Sequence, residues 1–182
     1  MWLYVLIAVL VLIVLYVIST YNSFKTLENN VEEGFSTMDV YLKKRWDLIP
    51  NLVETVKGYT KHEKDTLTEV IELRNGAYDS MSVEEKDKAN KKLSEGVVMI
   101  MALAEAYPDL KANENFKELS RELTKVEEDI SNSRKYYNAV VKKYNNKVEL
   151  IPSNFVAMMF GFKTKTMFEI DSSERENVKV QF

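Results

Sequence analysis

The sequence predicts an all-α protein, an N-terminal transmembrane helix followed by a long antiparallel four-helix bundle. Three observations predict it. Residues 1–18, MWLYVLIAVLVLIVLYVI, are apolar without interruption. Beyond them apolar residues recur at threes and fours along most of the chain, the period of a one-faced helix. With 5 glycines and 3 prolines in 182 residues, the chain is poor in turn-formers, which favours few long elements over many short strands.

The first segment carries no charged side chain. At about 1.5 Å per residue it reaches roughly 27 Å, close to the hydrocarbon thickness of a bilayer. Trp2 and Tyr4 mark one end, and Tyr16 and Tyr21 the other, as interfacial aromatics do. A cleaved signal peptide is the competing reading. Against it, no Lys or Arg precedes the run, no A-x-A site follows, and Val17-Ile18-Ser19 is a weak substitute. No Gly or Pro occurs before Gly34, so nothing breaks the chain after the run. Residues 1–20 are therefore read as an uncleaved anchor, 21–162 as the bundle and 163–182 as a tail. The basic residues Lys25, Lys43, Lys44 and Arg45 all follow the run, which points the bundle toward the cytoplasm and makes the protein a single-pass one in the cell membrane.

Tyr21, Phe24, Leu27, Val31, Phe35, Met38, Leu42 and Trp46 form one stripe that continues the anchor as a single rod. Leu48 to Leu73 suggest a second helix, from about 48 to 79. Ser82-Val83-Glu84-Glu85 is a capping box opening a third, which Pro108 ends. The fourth runs from about 113 to 149. Its apolar seam steps by sevens through Phe116, Leu123, Ile130, Tyr137, Tyr144 and Ile151, with Leu119, Val126, Ser133 and Val140 between. Each helix is polar on its other side, so the stripes must be buried on one another.

The stretch RWDLIPNLVETVKGYTKHE sets a proline inside an otherwise helical pattern. Pro50 disfavours helical geometry at Ile49 but is tolerated in a first turn, and Asp47 three residues earlier can cap a helix N-terminus. The favoured reading is a corner where helix one stops and helix two starts; a proline kink in one long helix is the alternative. Arg45, Asp47 and Asn51 could meet Arg134, Asn138 and Asn145 in a polar network that fixes register, because Tyr137-Asn138 and Tyr144-Asn145 recur seven residues apart. The plainer reading makes the tyrosines core residues and the asparagines flank the seam.

Chemistry is sparse. There is no cysteine, which removes thiol catalysis, disulfides and Cys-ligated zinc. The one histidine, His62, has no second His four residues on, so no zinc-protease helix exists, and solvated surface is its expected place. No phosphate loop, nucleophile elbow or nucleophile–base pair is visible. We therefore expect no catalytic residue, no metal and no cofactor. With 25 basic and 28 acidic residues the net charge is −3, which offers nucleic acid no attracting field. After Pro152, Phe155 to Phe162 are eight residues without a polar side chain, followed by Lys163 and Lys165. They are too few to span a bilayer. A plug over the end of the core is the favoured reading; contact of Phe155, Phe160, Phe162, Lys163 and Lys165 with membrane or a partner is the other.

MDVYLKKRWDLIPNLVETVKGYTKHE, then AEAYPDLKANENFKEL, then ISNSRKYYNAVVKKYNNKVELIPSNFVAMMFGF resemble the LemA family, in order and over nearly the whole chain from Tyr21. The resemblance implies an N-terminally anchored, all-helical bacterial membrane protein, in a family to which no agreed activity is attached. The family's recurrent positions fall here on Arg45, Asp47, Pro50, Asn51, Glu63, Arg74, Tyr107, Pro108, Asp109, Asn113, Phe116, Arg134, Tyr137, Asn138, Tyr144, Asn145 and Phe160-Gly161-Phe162. One departure is Gly34-Phe35, where a small residue followed by Trp is commoner.

Three functions fit. The first is a non-enzymatic scaffold or adaptor that presents the bundle to a protein partner, a membrane protein among the candidates; exposed apolar patches would mark it. The second is a membrane-remodelling or assembly protein, which self-association would mark. The third is a ligand-binder with a polar site inside the bundle, which needs a pocket lined by the polar residues above. The expected partners are the lipid bilayer and a protein whose identity the sequence does not carry.

Overall fold

The computed structural model describes residues 1–59, 71 and 78–168. The regular elements among them are helices: α1 (Trp2–Lys57), a 3₁₀ turn (Tyr78–Ser80), α2 (Val83–Ala106), α3 (Pro108–Ala112), α4 (Glu114–Glu149) and α5 (Ser153–Phe160). The all-α bundle with an apolar N-terminal helix is the architecture the sequence predicts. The chain divides into two compact units, one of Met1–Thr37 with Ser133–Met167, the other of Met38–Asn132 with Phe168–Phe182.

The corner at Asp47 and Pro50 does not form. Pro50 lies inside α1, which runs on to Lys57, so residues 48–57, expected to open a second helix, are the end of the first one. Asp47 is not a cap; it is exposed and accepts from Lys43 one turn earlier, at 2.7 Å. A proline here removes the bond to the carbonyl of Trp46. Burial outweighs that loss: Trp46, Ile49, Leu52, Val53 and Val56 are all buried on the stripe that crosses the proline. Pro50→Ala is accordingly expected to stabilise the protein by about 1 kcal/mol or more in thermal unfolding. A clear loss of stability would show that the packing needs a proline-set bend.

In the first unit α1 and α4 run antiparallel. Phe35 meets Tyr137 edge-on, Phe24 meets Tyr144 (ring centroids 6.1 Å apart in both pairs), and Lys147 donates to Ser23. Gly34 lets the two helices close up: a Cβ there would stand 3.4 Å from both Tyr136 and Val140. The seam of α4 departs from its seven-residue step. Val141 is buried instead of Val140, and Ile151, beyond the end of the helix, is exposed. A straight α-helix drifts about 20° per heptad against a strict seven-residue repeat, so the buried face moves on by one residue.

In the second unit α2 runs parallel to α1, since Asp39 pairs with Lys86 and Arg45 with Asn90 and Ser94. There α4 is antiparallel to α1: Glu127 pairs with Arg45, and Asn113, just before α4, with Tyr59, just past α1. The predicted capping box opens α2: Ser82 Oγ accepts from Glu85 N–H, and Glu85 accepts from Ser82 N–H at 2.7 Å. Tyr107 closes α2 and Pro108 begins α3. Most of the predicted second helix, with His62, Glu63 and Arg74, lies outside the described residues.

Candidate functional site

Two places gather the residues that could act. The first is the end of the first unit where the apolar run emerges. Trp2, Tyr4 and Tyr16 are exposed, and so are the large apolar residues between them, on every side of α1. A helix apolar all round with no protein against it is suited to lipid. α1 is the one helix among the described residues long and apolar enough to cross a membrane. Burial starts at Thr20 and Phe24, where α1 meets the rest of the unit.

At that level lies α5. Val156 and Ala157 are buried, whereas Phe155, Met158, Met159 and Phe160 are exposed, Met158 to 77%. The helix ends on Gly161 at φ 73°, with Phe162 N–H bonded back to Ala157 O at 2.9 Å, a left-handed cap that turns Phe162 inward. Phe162 stacks on Phe24 at 4.6 Å, and Phe160 lies 4.8 Å from Tyr21. One face of the segment thus covers the core, as in the plug reading, and the other is left bare. Of the five contact residues predicted, Phe155, Phe160 and Lys163 remain exposed, while Phe162 and Lys165 turn inward.

Lys165 turns inward because three groups hold it. Asn145 donates to its carbonyl and accepts from its N–H, both at 2.8 Å, and its ammonium lies 3.5 Å from Glu28 and over the Tyr144 ring. Next to it Tyr137 donates its hydroxyl to the Thr166 carbonyl. Burial pushes the Tyr137 and Tyr144 hydroxyls above the ordinary tyrosine range. The hydrogen bond from Lys25, helped by the charge of Lys165, holds the Glu28 carboxyl below its ordinary range against the opposite pull of burial. A carboxyl depressed on folding stabilises above its unfolded pKa, and that contribution is lost as pH falls through the folded value. Glu28→Gln should therefore cost under about 1 kcal/mol at neutral pH and flatten the acid side of the stability–pH curve below about pH 4.3. Thermal melts across pH check both.

The second place is in the other unit. Arg45 is 0% exposed, and its guanidinium donates to both Glu127 oxygens (2.6 and 2.7 Å), to Ser94 Oγ (2.7 Å) and to the Asn90 carbonyl (2.9 Å). Six residues earlier on α1, Asp39 accepts from Lys86 at 2.8 and 2.9 Å and from the Tyr78 hydroxyl at 2.7 Å. Lys86 also stands 4.5 Å over the Tyr78 ring, which packs on Trp46. Burial first, then the bond and charge of Asp39, push the Tyr78 hydroxyl well above its ordinary pKa, so it stays a donor. These knots join helices; among the described residues no group of three or more carboxylates or His is placed to hold a metal.

The predicted network is divided differently. Arg45, Asp47 and Asn51 belong to one unit, and Arg134, Asn138 and Asn145 to the other. Arg134 is buried, Asn138 half-buried, and Asn51 exposed with its carbonyl taken by Thr55. Sequence reasoning missed Glu127, Asn90 and Lys86. Running the Leu93, Val97, Ile100 stripe of α2 backward lands on Asn90 and Lys86, both buried, so two polar residues in an apolar register were the available signal.

This geometry defines a class: a protein helical in the regular elements of its described residues, with an apolar N-terminal helix that is a candidate membrane span running unbroken into a bundle. A model of the LemA family matches residues 34–182, and the chain belongs to that family. Among curated relatives it is similar to magnetosome proteins MamQ 1 and MamQ 2 of Paramagnetospirillum magneticum, each 24% identical over 175 residues, covering 82% of this chain and 64% of theirs. It is also similar to protein LemA of Metamycoplasma hominis, 24% identical over 162 residues, covering 86% of this chain and 72% of that one. The chain thus spans less than two thirds of the MamQ proteins.

Proposed function

We propose that this chain is a single-span membrane protein whose bundle acts as a non-enzymatic scaffold or adaptor beside the bilayer, on the cytoplasmic side, for a protein partner. The observation that carries it is the continuity of α1: exposed and wholly apolar over its first turns, then running on without a break as a helix buried along one face from Thr20. The bare face of α5, at the level of Tyr21, adds an apolar shoulder at the bilayer surface, with Lys163 exposed beside it. The buried polar knots support a rigid presenting surface rather than a reaction centre. A second reading, membrane assembly, takes its support from the two relatives named magnetosome proteins.

Membranes from expressing cells, washed with alkaline carbonate, test the anchoring. The full chain is expected to stay in the pellet, and an intact C-terminus should be cut by protease only after the cytoplasmic face is opened. A soluble form beginning near Thr20 would refute the anchor. Crosslinking in the same membranes separates the two readings: a different protein captured supports the scaffold, and only further copies of this chain support assembly.

A further inference from the structure

On the first unit, α1 and the last turns of α4 enclose a groove of about 720 Å3 that begins at Tyr16, within the apolar run. Its polar wall holds Thr20, Ser23, Lys143, Asn146 and Lys147, and its rim holds Ile151, exposed to 77%. Among the described residues neither lysine pairs with a carboxylate; Lys147 donates to Ser23 Oγ and lies 5.6 Å from the Phe24 ring centre. The groove therefore carries two positive charges, hydroxyl and amide donors, and an apolar entrance.

Depth decides what fits it. Ser23 lies five residues past the apolar run, about 7.5 Å along the helix. The headgroup layer on each side of a bilayer is of about the same thickness. With the run in the hydrocarbon, Lys147 and Ser23 sit where phosphates are, and Tyr16 sits where acyl chains begin.

We propose that this groove binds one anionic glycerophospholipid, its phosphate on Lys143 and Lys147, its glycerol or headgroup hydroxyls on Asn146 and Thr20, and one acyl chain along Tyr16 and Ile151. The inference rests on the anchored reading. It is distinct from the α5 shoulder, which offers apolar contact and Lys163.

The full-length protein in mild detergent, titrated with phosphatidylglycerol or phosphatidylcholine and followed by native mass spectrometry, tests it. Retention of a single phosphatidylglycerol, in preference to phosphatidylcholine, is expected. Lys143→Glu should weaken it by at least about fivefold, the factor that roughly 1 kcal/mol per basic residue near an anionic surface corresponds to. Lys142→Glu makes the same charge change at the adjacent exposed residue outside the groove and should leave binding unchanged. Equal weakening by both variants would show general surface attraction and overturn the site. No lipid preference, or equal binding of inorganic phosphate by the lipid-free protein, would overturn it too. A chain washed from membranes by carbonate fails the anchoring; one that stays but is indifferent at Lys143 fails this inference alone.

Discussion

Glu127→Ala is expected to destabilise the protein by about 2–3 kcal/mol, a large effect for a change outside the apolar core. The substitution withdraws the carboxylate that meets Arg45 at 2.6 and 2.7 Å and leaves the guanidinium in place, fully buried. Ser94 and the Asn90 carbonyl still accept from it, and neither of these two carries charge. Replacing the pair together, Arg45→Met with Glu127→Leu, should cost much less than Glu127→Ala alone, because no buried charge is left behind and the volume is refilled. Denaturant unfolding of the three proteins measures the order. If the double replacement were the worst, the pair would be a net source of stability rather than a device that fixes which helix faces which.

Phe24→Ala is expected to cost about 3–5 kcal/mol, through lost transfer energy and the cavity left among rings that cannot close up. Phe24 is fully buried, stacked on Phe162 and edge-on to Tyr144. Its removal also takes away the surface on which the segment after α5 is laid, so that segment should become protease-sensitive at Lys163 or Lys165. Phe155→Ser, on the bare face of the same short helix, should leave stability within about 0.5 kcal/mol. A large loss at Phe155 would mean that this face is covered in the native protein.

What the sequence by itself determined is what depends on one helix at a time. The apolar run from Met1 to Ile18, the stripe through Phe24, Val31, Met38 and Leu42, the Ser82–Glu85 capping box and the break at Pro108 each follow from local composition and the 3.6-residue period. They were enough for the fold class. Pro50 was misread because its local cost, about 3 kcal/mol in a helix interior, points to an end, whereas the decision is made by the five apolar residues around it that are buried on their neighbours. Only the tertiary structure decided which polar residues meet. Arg45 finds Glu127 across 82 positions, and Asn145 finds the Lys165 backbone across 20. Such pairs leave no periodic trace, because a hydrogen bond needs particular atoms at about 3 Å and nothing in either segment alone sets that distance. The same holds for residues 155–162, eight that read as uniformly apolar; which of them cover the core and which face outward shows only in the packed chain, where the left-handed turn at Gly161 lays Phe162 on the ring of Phe24.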